Sequence, residues 1–532
     1  MNDSPRVRHW PLAATLTIFG ATMAAYLVLS LRLTRGHLTY PLDDAYIQMA
    51  MAKNFVLHNT WGVTSHGFSS SSSSALWTLL IAGIYSLFGV NEVAPFILSL
   101  LFGTVTVIVM WSVLNRHIAS RRWVLAGCLL GVFLAPLPPL AFLGMEHALH
   151  AAVSLVLVWF VAGILSTNRR LSLRDAALLA LLSVLVSAVR YEGLFLAFVI
   201  CVLLILSRRA AAAMVVAAAA AIPPVAYGLW SVSKGGLFLP NSVLLKGSLP
   251  GLGVRGIVQT LFGYRGWTNA GKSPHLLLLL IVAAFLVVLR TWRKSSRGTS
   301  TYALTLFIGA TILHLNFAQA GWLYRYDAYL VLVGLTAIIV AAWELQPELP
   351  TRLTASPRLV AAVLLLVLAA SPIAVRAARF LVTLPQATKN IYEQQYQMGR
   401  FFGKFYAGRP VAVNDIGAVS YLADVRLVDL WGLADQELAR LKLHNRYTDE
   451  QAIARAGQER ALVAIVYHQW FSSPSWSEVG QWRIRGNVTC AHAEVSICAA
   501  VPSATAELIR NLAAFAPDLP ADVEQSGPYT RR

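Results

Sequence analysis

Long apolar runs separated by short polar tracts recur through the first 375 residues of the chain and then cease. A helix needs about 20 apolar residues to cross the roughly 30 Å hydrocarbon layer of a bilayer. The runs at 10–31, 93–114, 123–140, 147–165, 175–189, 192–206, 210–230, 274–290, 301–317, 327–345 and 359–375 predict eleven membrane spans. Two of them, 175–189 and 192–206, are short and predict a tilted pair meeting at Arg190, Tyr191 and Glu192. A further run, 75–89, has only 15 residues and fits either a span or a helix lying along the outer interface.

Charge decides between these two, because cytoplasmic connections are enriched in Lys and Arg. With 75–89 kept outside, 16 Lys and Arg fall on one side, and the short connections opposite hold little beyond Arg190 and Arg325. Counting 75–89 as a span would turn the basic tract 115–122 outward. The prediction is a cytoplasmic N-terminus, an extracytoplasmic C-terminus and a first span that is an uncleaved anchor, being too long for a signal-peptide core.

Beyond residue 375 the pattern changes. Short apolar runs at 411–413, 426–430 and 461–467 alternate with helical spacing, which predicts a small α/β domain over 376–515. The Pro-containing tail 516–532 predicts disorder. The fold class is thus an α-helical polytopic membrane protein with a C-terminal extracytoplasmic α/β domain. Its membrane module (1–375) carries two large outer loops, 32–92 and 231–273.

Composition agrees. Of the 532 residues 57% are hydrophobic and 13% charged, about half the 25% of a soluble domain, which excludes a wholly soluble enzyme. The net charge of +18 forms no patch: residues 1–375 hold 26 basic and 10 acidic residues, the remainder 17 and 15. The excess sits in topology tracts, so nucleic acid is not a partner. Cys128 and Cys201 fall in spans as packing residues. Cys490 and Cys498 flank a polar stretch in a compartment expected to be oxidising, which favours a disulfide. There is no Cys/His metal spacing.

The ten acids of the membrane module are informative. Asp3, Asp175, Glu344 and Glu348 fall on the cytoplasmic side; Asp43, Asp44, Glu92, Glu146, Glu192 and Asp327 fall at the outer face. Ionisable groups at a membrane boundary are costly unless solvated or paired. The asymmetry therefore predicts either solvated helix ends or a polar chamber at the outer surface. Asp43 and Asp44 fit an N-cap plus a first-turn acid, or a coupled pair in which one carboxyl serves as general base. Glu146, beside His147 and His150, is a helix cap or a chamber wall. Arg190 pairs with Glu192 or binds an anionic substrate, and Arg325 with Asp327 poses the same choice. Lys246 is a solvated loop lysine or a further anion ligand.

At these residues a resemblance becomes specific. LDDAYIQMAMAKNF followed by FSSSSSSALWTLLIAGIYSLFG resembles the first outer loop of polytopic GT-C-type glycosyltransferases, bacterial arabinofuranosyl- and mannosyltransferase relatives in particular. GMEHAL, VRYEGL and LPNSVLLK resemble their GMET-, TRPEGL- and PNT-type elements. VAVNDIGAVSYLADVRLVDLWGLAD is similar to a strand-turn-helix of their outer domain. The order holds over about residues 10–470, with Tyr191 and His147 departing from the usual Pro and Thr.

The resemblance implies a polyprenyl-phosphate sugar donor and a glycan, lipid or protein acceptor at the outer face of the bacterial inner membrane. It implies Asp44 as base with Asp43 orienting it or the acceptor. Glu146, His147, Arg190, Glu192, Lys246, Arg325 and Asp327 would be substrate-binding, with Arg190, Arg325 and Lys246 on the lipid phosphate. Some relatives use a divalent cation, which two adjacent acids leave open without establishing. Against the inverting transferase stand a lipid-linked-substrate transporter, which midplane charges would favour, and a ligand sensor, which would need a cytoplasmic signalling domain.

Overall fold

The computed structural model describes residues 5–167, 171–247, 264–293, 298–319, 321–345, 357–473 and 475–530, the side chains of 5–8, 264–265 and 357–369 excepted. The middle of the predicted 231–273 loop, the segment with Glu348 and Arg352, and parts of two basic tracts lie outside the described residues.

Helices cover the predicted spans, one for each except 123–140. Among the described residues, seven helices are long and apolar enough to cross a membrane. His147–Ser166 is the centre of the bundle, buried on nearly all sides. The run 123–140 is not one helix. Arg121–Leu134 stops before Pro136, and Leu137–Phe142 restarts with Pro138 and Pro139 in its first turn, where a missing N–H costs nothing. The 75–89 run folds as Ala75–Phe88, capped by Ser74, whose hydroxyl accepts the Trp77 N–H at 3.2 Å.

The expected boundary at residue 375 falls inside a continuous rod. Pro357–Ile391 runs on through a π-turn, Tyr392–Tyr396, into Gln397–Phe405. The C-terminal domain, predicted to lie outside, thus grows from the helix Pro357–Ile391 without a linker. Its six-stranded sheet has the order β2-β1-β3-β5-β4-β6: Arg426–Asp429, Pro410–Val413, Val463–Val466, Glu494–Ala499, Ser477–Arg483 and Glu524–Ser526. β1 pairs in parallel with β2 and β3, and the remaining pairs are antiparallel. Alternation along β1 sends Val411 and Val413 into the main core, continuous with the bundle, and Ala412 to the opposite face under Gln436–Leu443 and Asp449–Gln458.

Two expectations fail here. Cys490 and Cys498 are both free and buried: Cys498 packs in the small core on the outer face of the sheet, while the Cys490 thiol donates to Gln395 Oε1 at 3.3 Å on the other side. The tail is ordered over its described residues, 516–530. Residues 524–526 pair with β4, and the Trp482 indole donates to the Tyr529 hydroxyl at 3.1 Å.

Candidate active site

The helix Asp43–His58 positions both candidate acids in its first turn, where the helix dipole favours negative charge. Consecutive helical residues project about 100° apart, so the two carboxylates diverge. Asp43 turns to the outer domain and accepts the backbone N–H of Gly417 at 2.7 Å and of Ala418 at 2.8 Å. Ten residues on, Lys53 donates to the carbonyls of Ser420 at 3.1 Å and Tyr421 at 2.6 Å. One helix thereby grips both ends of Gly417–Leu422, acid at its N-terminus and base at its C-terminus. Gly417 is needed: a Cβ there would lie 2.1 Å from the Asp43 carbonyl oxygen.

Asp44 turns the other way, into a cavity of about 730 Å³. Lys246 donates to it at 3.1 Å, and Arg325 bonds the same oxygen, Oδ2. Burial alone would push the Asp44 carboxyl up, but Lys246 and Arg325 outweigh it and hold the group below the usual carboxylate range. Gln48, one turn beyond Asp44, shares its face. It donates to Glu146 at 2.8 Å, and Ser73 adds a bond at 3.0 Å. Glu146 is fully buried and caps nothing with its side chain. Arg190 meets Glu146 at 2.5 Å and forks onto Glu192 at 2.6 and 3.2 Å. Arg190 and Arg325 both lie over the Tyr326 ring, 5.5 and 4.8 Å from its centre.

Beyond this polar end, the cavity wall is apolar, with Leu194, Phe195, Phe198, Leu313 and Phe317. The cavity thus joins two carboxylates, Asp44 and Glu192, three cations and an aliphatic and aromatic channel. It can hold an amphiphile with an anionic head and offer a base beside that head.

Of the predicted residues, Asp44, Arg190, Glu192, Lys246 and Arg325 line the cavity, and Glu146 stands behind Gln48, Ser73 and Arg190. His147 is buried edge-on to Tyr326. Asp43 is not on the cavity wall. Neither is Asp327, which is fully buried between His275 at 2.5 Å and Arg376 at 2.7 Å and ties three helices together. Sequence reading passed over Gln48, Ser73 and Tyr326. Gln48 carried a signal, its i+4 spacing from Asp44; Ser73 was one serine in a run.

A divalent cation does not fit the acids as they stand. Both Asp43 oxygens accept backbone N–H groups and both Asp44 oxygens face cations. Among the described residues no three acid, His or Cys donors converge on one point.

Comparison with known proteins adds two findings. A family model described only as a domain of unknown function (DUF8728) matches residues 389–498, the outer domain. The crystal structure of ArnT from Cupriavidus metallidurans bound to undecaprenyl phosphate superposes with a TM-score of 0.52 at 15% identity, covering 92% of this chain and 98% of that one. The same protein in its apo state gives 0.51 at 15% identity, covering 92% and 99%. The chain therefore has an ArnT-like, GT-C-type fold over nearly its whole length, a multi-pass helical membrane module with a sheet-containing C-terminal domain.

Proposed function

We propose that this protein is an inverting membrane glycosyltransferase. It moves a sugar from a polyprenyl-phosphate donor to an acceptor hydroxyl at the outer face of the membrane. The observation that carries the reading is Asp44, held between Lys246 and Arg325 at the polar end of a cavity whose other walls are apolar. The fold shared with ArnT, which has been crystallised bound to undecaprenyl phosphate, supports a lipid phosphate of this kind. The topology predicted from the sequence agrees: nucleotide sugars are cytosolic, so a sugar used outside must arrive on a lipid.

In the reaction the acceptor oxygen attacks the anomeric carbon as Asp44 removes its proton, and the bond from that carbon to the phosphate oxygen breaks. Negative charge grows on the leaving phosphate, where Lys246 and Arg325 stabilise it. The same two cations that bind phosphate hold Asp44 acidic in the free protein. A phosphate that draws them away raises the Asp44 pKa towards that of a base, so donor binding itself activates the carboxylate. Arg190 has a different task. Compensated by both Glu146 and Glu192, it gives a buried triad of net charge −1, suited to sugar hydroxyls rather than to phosphate.

The test uses purified protein in detergent with radiolabelled polyprenyl-phosphate sugars and a membrane extract as acceptor. Transfer by wild type, lost in a folded Asp44→Asn variant, is the expected result. Donors that stay intact while labelled lipid crosses a reconstituted bilayer would replace the transferase by a transporter.

A further inference from the structure

Asp415 lies two residues beyond the end of β1, within electrostatic reach of Asp43, Asp44 and Lys246. Its surroundings contain a proton count that does not close unless Asp415 carries one. Gln394 donates its Nε2 to the carbonyls of His492 at 3.1 Å and Ala493 at 3.3 Å, which turns its Oε1 towards Tyr467. The Tyr467 hydroxyl lies 2.7 Å from Gln394 Oε1 and 2.7 Å from Asp415 Oδ2. A hydroxyl has one proton to give. Were Asp415 ionised, one of these two contacts would set lone pair against lone pair. Gln395 puts no proton between the Tyr467 oxygen and either neighbour, since its Nε2 only donates, to Asp415 at 2.8 Å, to Tyr467 at 2.9 Å and to Gln394 Oε1 at 3.1 Å. A proton on Asp415 Oδ2 closes the chain: Asp415 donates to Tyr467, and Tyr467 donates to Gln394.

We propose that Asp415 is held as a neutral carboxylic acid near neutral pH and that its proton lets Asp43 and Asp44 remain ionised beside it. That makes Asp415 a positioning residue of the Asp44 site. Burial and Asp415 push the Asp43 carboxyl up as well, but the Ala418 and Gly417 N–H groups pull the other way, and because both its oxygens accept those N–H groups Asp43 is not the proton carrier. Burial pushes the Asp415 carboxyl up, and the charge of Asp44 adds to this, while Gln395, Tyr467 and Lys246 pull the other way. Among the described residues the other titratable groups facing this network are the Cys490 thiol, which burial also pushes up, and the imidazole of His492, whose ring centre lies 5.5 Å from that of Tyr467.

The consequence is an alkaline limit. A carboxyl whose pKa is raised by folding stabilises the fold while protonated, and that stability is lost as pH rises through its folded-state pKa. Ionised Asp415 would add a third carboxylate to the cluster and loosen the dock of Gly417–Leu422 on the Asp43–His58 helix. That dock orients Asp44.

The experiment compares full-length wild type, Asp415→Asn and Asp415→Ala in detergent, reading melting temperature and sugar transfer from about pH 6 to 9. Wild type is expected to lose both towards the alkaline end. Asp415→Asn stays neutral and keeps an N–H for Tyr467. It should fold, transfer within about threefold of wild type at neutral pH, and lose the alkaline decline. Asp415→Ala should be impaired about tenfold throughout, having lost both hydrogen bonds. The proposal is overturned if Asp415→Asn keeps the wild-type alkaline decline in melting, fails to fold, or folds without transfer where wild type transfers. The inference rests on the glycosyltransferase reading only through the transfer readout. If no variant transfers sugar yet Asp415→Asn flattens the melting profile, the proton assignment stands and the enzyme reading falls.

Discussion

Asp44 and Asp43 are neighbours in sequence and differ in every contact. Asp44 faces Lys246 and Arg325 in the cavity, and Asp43 holds the outer domain. Asp44→Asn should lower single-turnover transfer by about 10²–10⁴, the span typical of a lost general base. It should bind undecaprenyl phosphate at least as tightly as wild type, because its cations are released; a loss of lipid binding parallel to the loss of rate would show that Asp44 acts in binding. Lys246→Met tests the electrostatics. Lys246 depresses the Asp44 pKa, so removing it raises that pKa and moves the acid limb of kcat/KM to higher pH, a shift that pH–rate profiles would read directly. These residues were legible in sequence because an isolated charge in an apolar chain is conspicuous. Asp415 was not, since its contacts with Tyr467 and Gln394 join segments that only the folded sheet brings together.

At the scale of elements, the contact between Asp43–His58 and Gly417–Leu422 couples the two parts of the protein. Gly417→Ala forces a methyl against the Asp43 backbone, an overpacking that costs about 1–3 kcal/mol. A lower melting temperature and a fall in kcat larger than any change in KM are expected, and unchanged kcat would detach the dock from catalysis. Helices were well predicted because apolar runs of 15–22 residues must satisfy their backbone groups within the segment. The misses have local causes. Prolines 136, 138 and 139 divide an apolar run that hydropathy averages over. The tail, polar and short, gains order from contacts distant in sequence: pairing with β4, and ion pairs of Asp518 with Lys404 and Asp522 with Lys389. Cys490 and Cys498 are close in sequence, yet they pack on opposite sides of the sheet.

Over the whole molecule, the continuous rod from Pro357 to Phe405 and the grip on Gly417–Leu422 fix the outer domain at two points. In the proposed reaction Lys246 and Arg325 neutralise the phosphate, the task a metal would otherwise perform. Transfer should therefore survive dialysis against a strong chelator; a loss restored by added divalent cation would show a cation site formed on donor binding.

The most direct test of the account follows transfer from a radiolabelled polyprenyl-phosphate sugar in a single turnover by wild type, Asp44→Asn and Asp43→Asn, each folded by size exclusion. The account predicts that Asp44→Asn binds donor but does not transfer, while Asp43→Asn retains measurable transfer with a lowered melting temperature. Transfer by Asp44→Asn at the wild-type rate would contradict it.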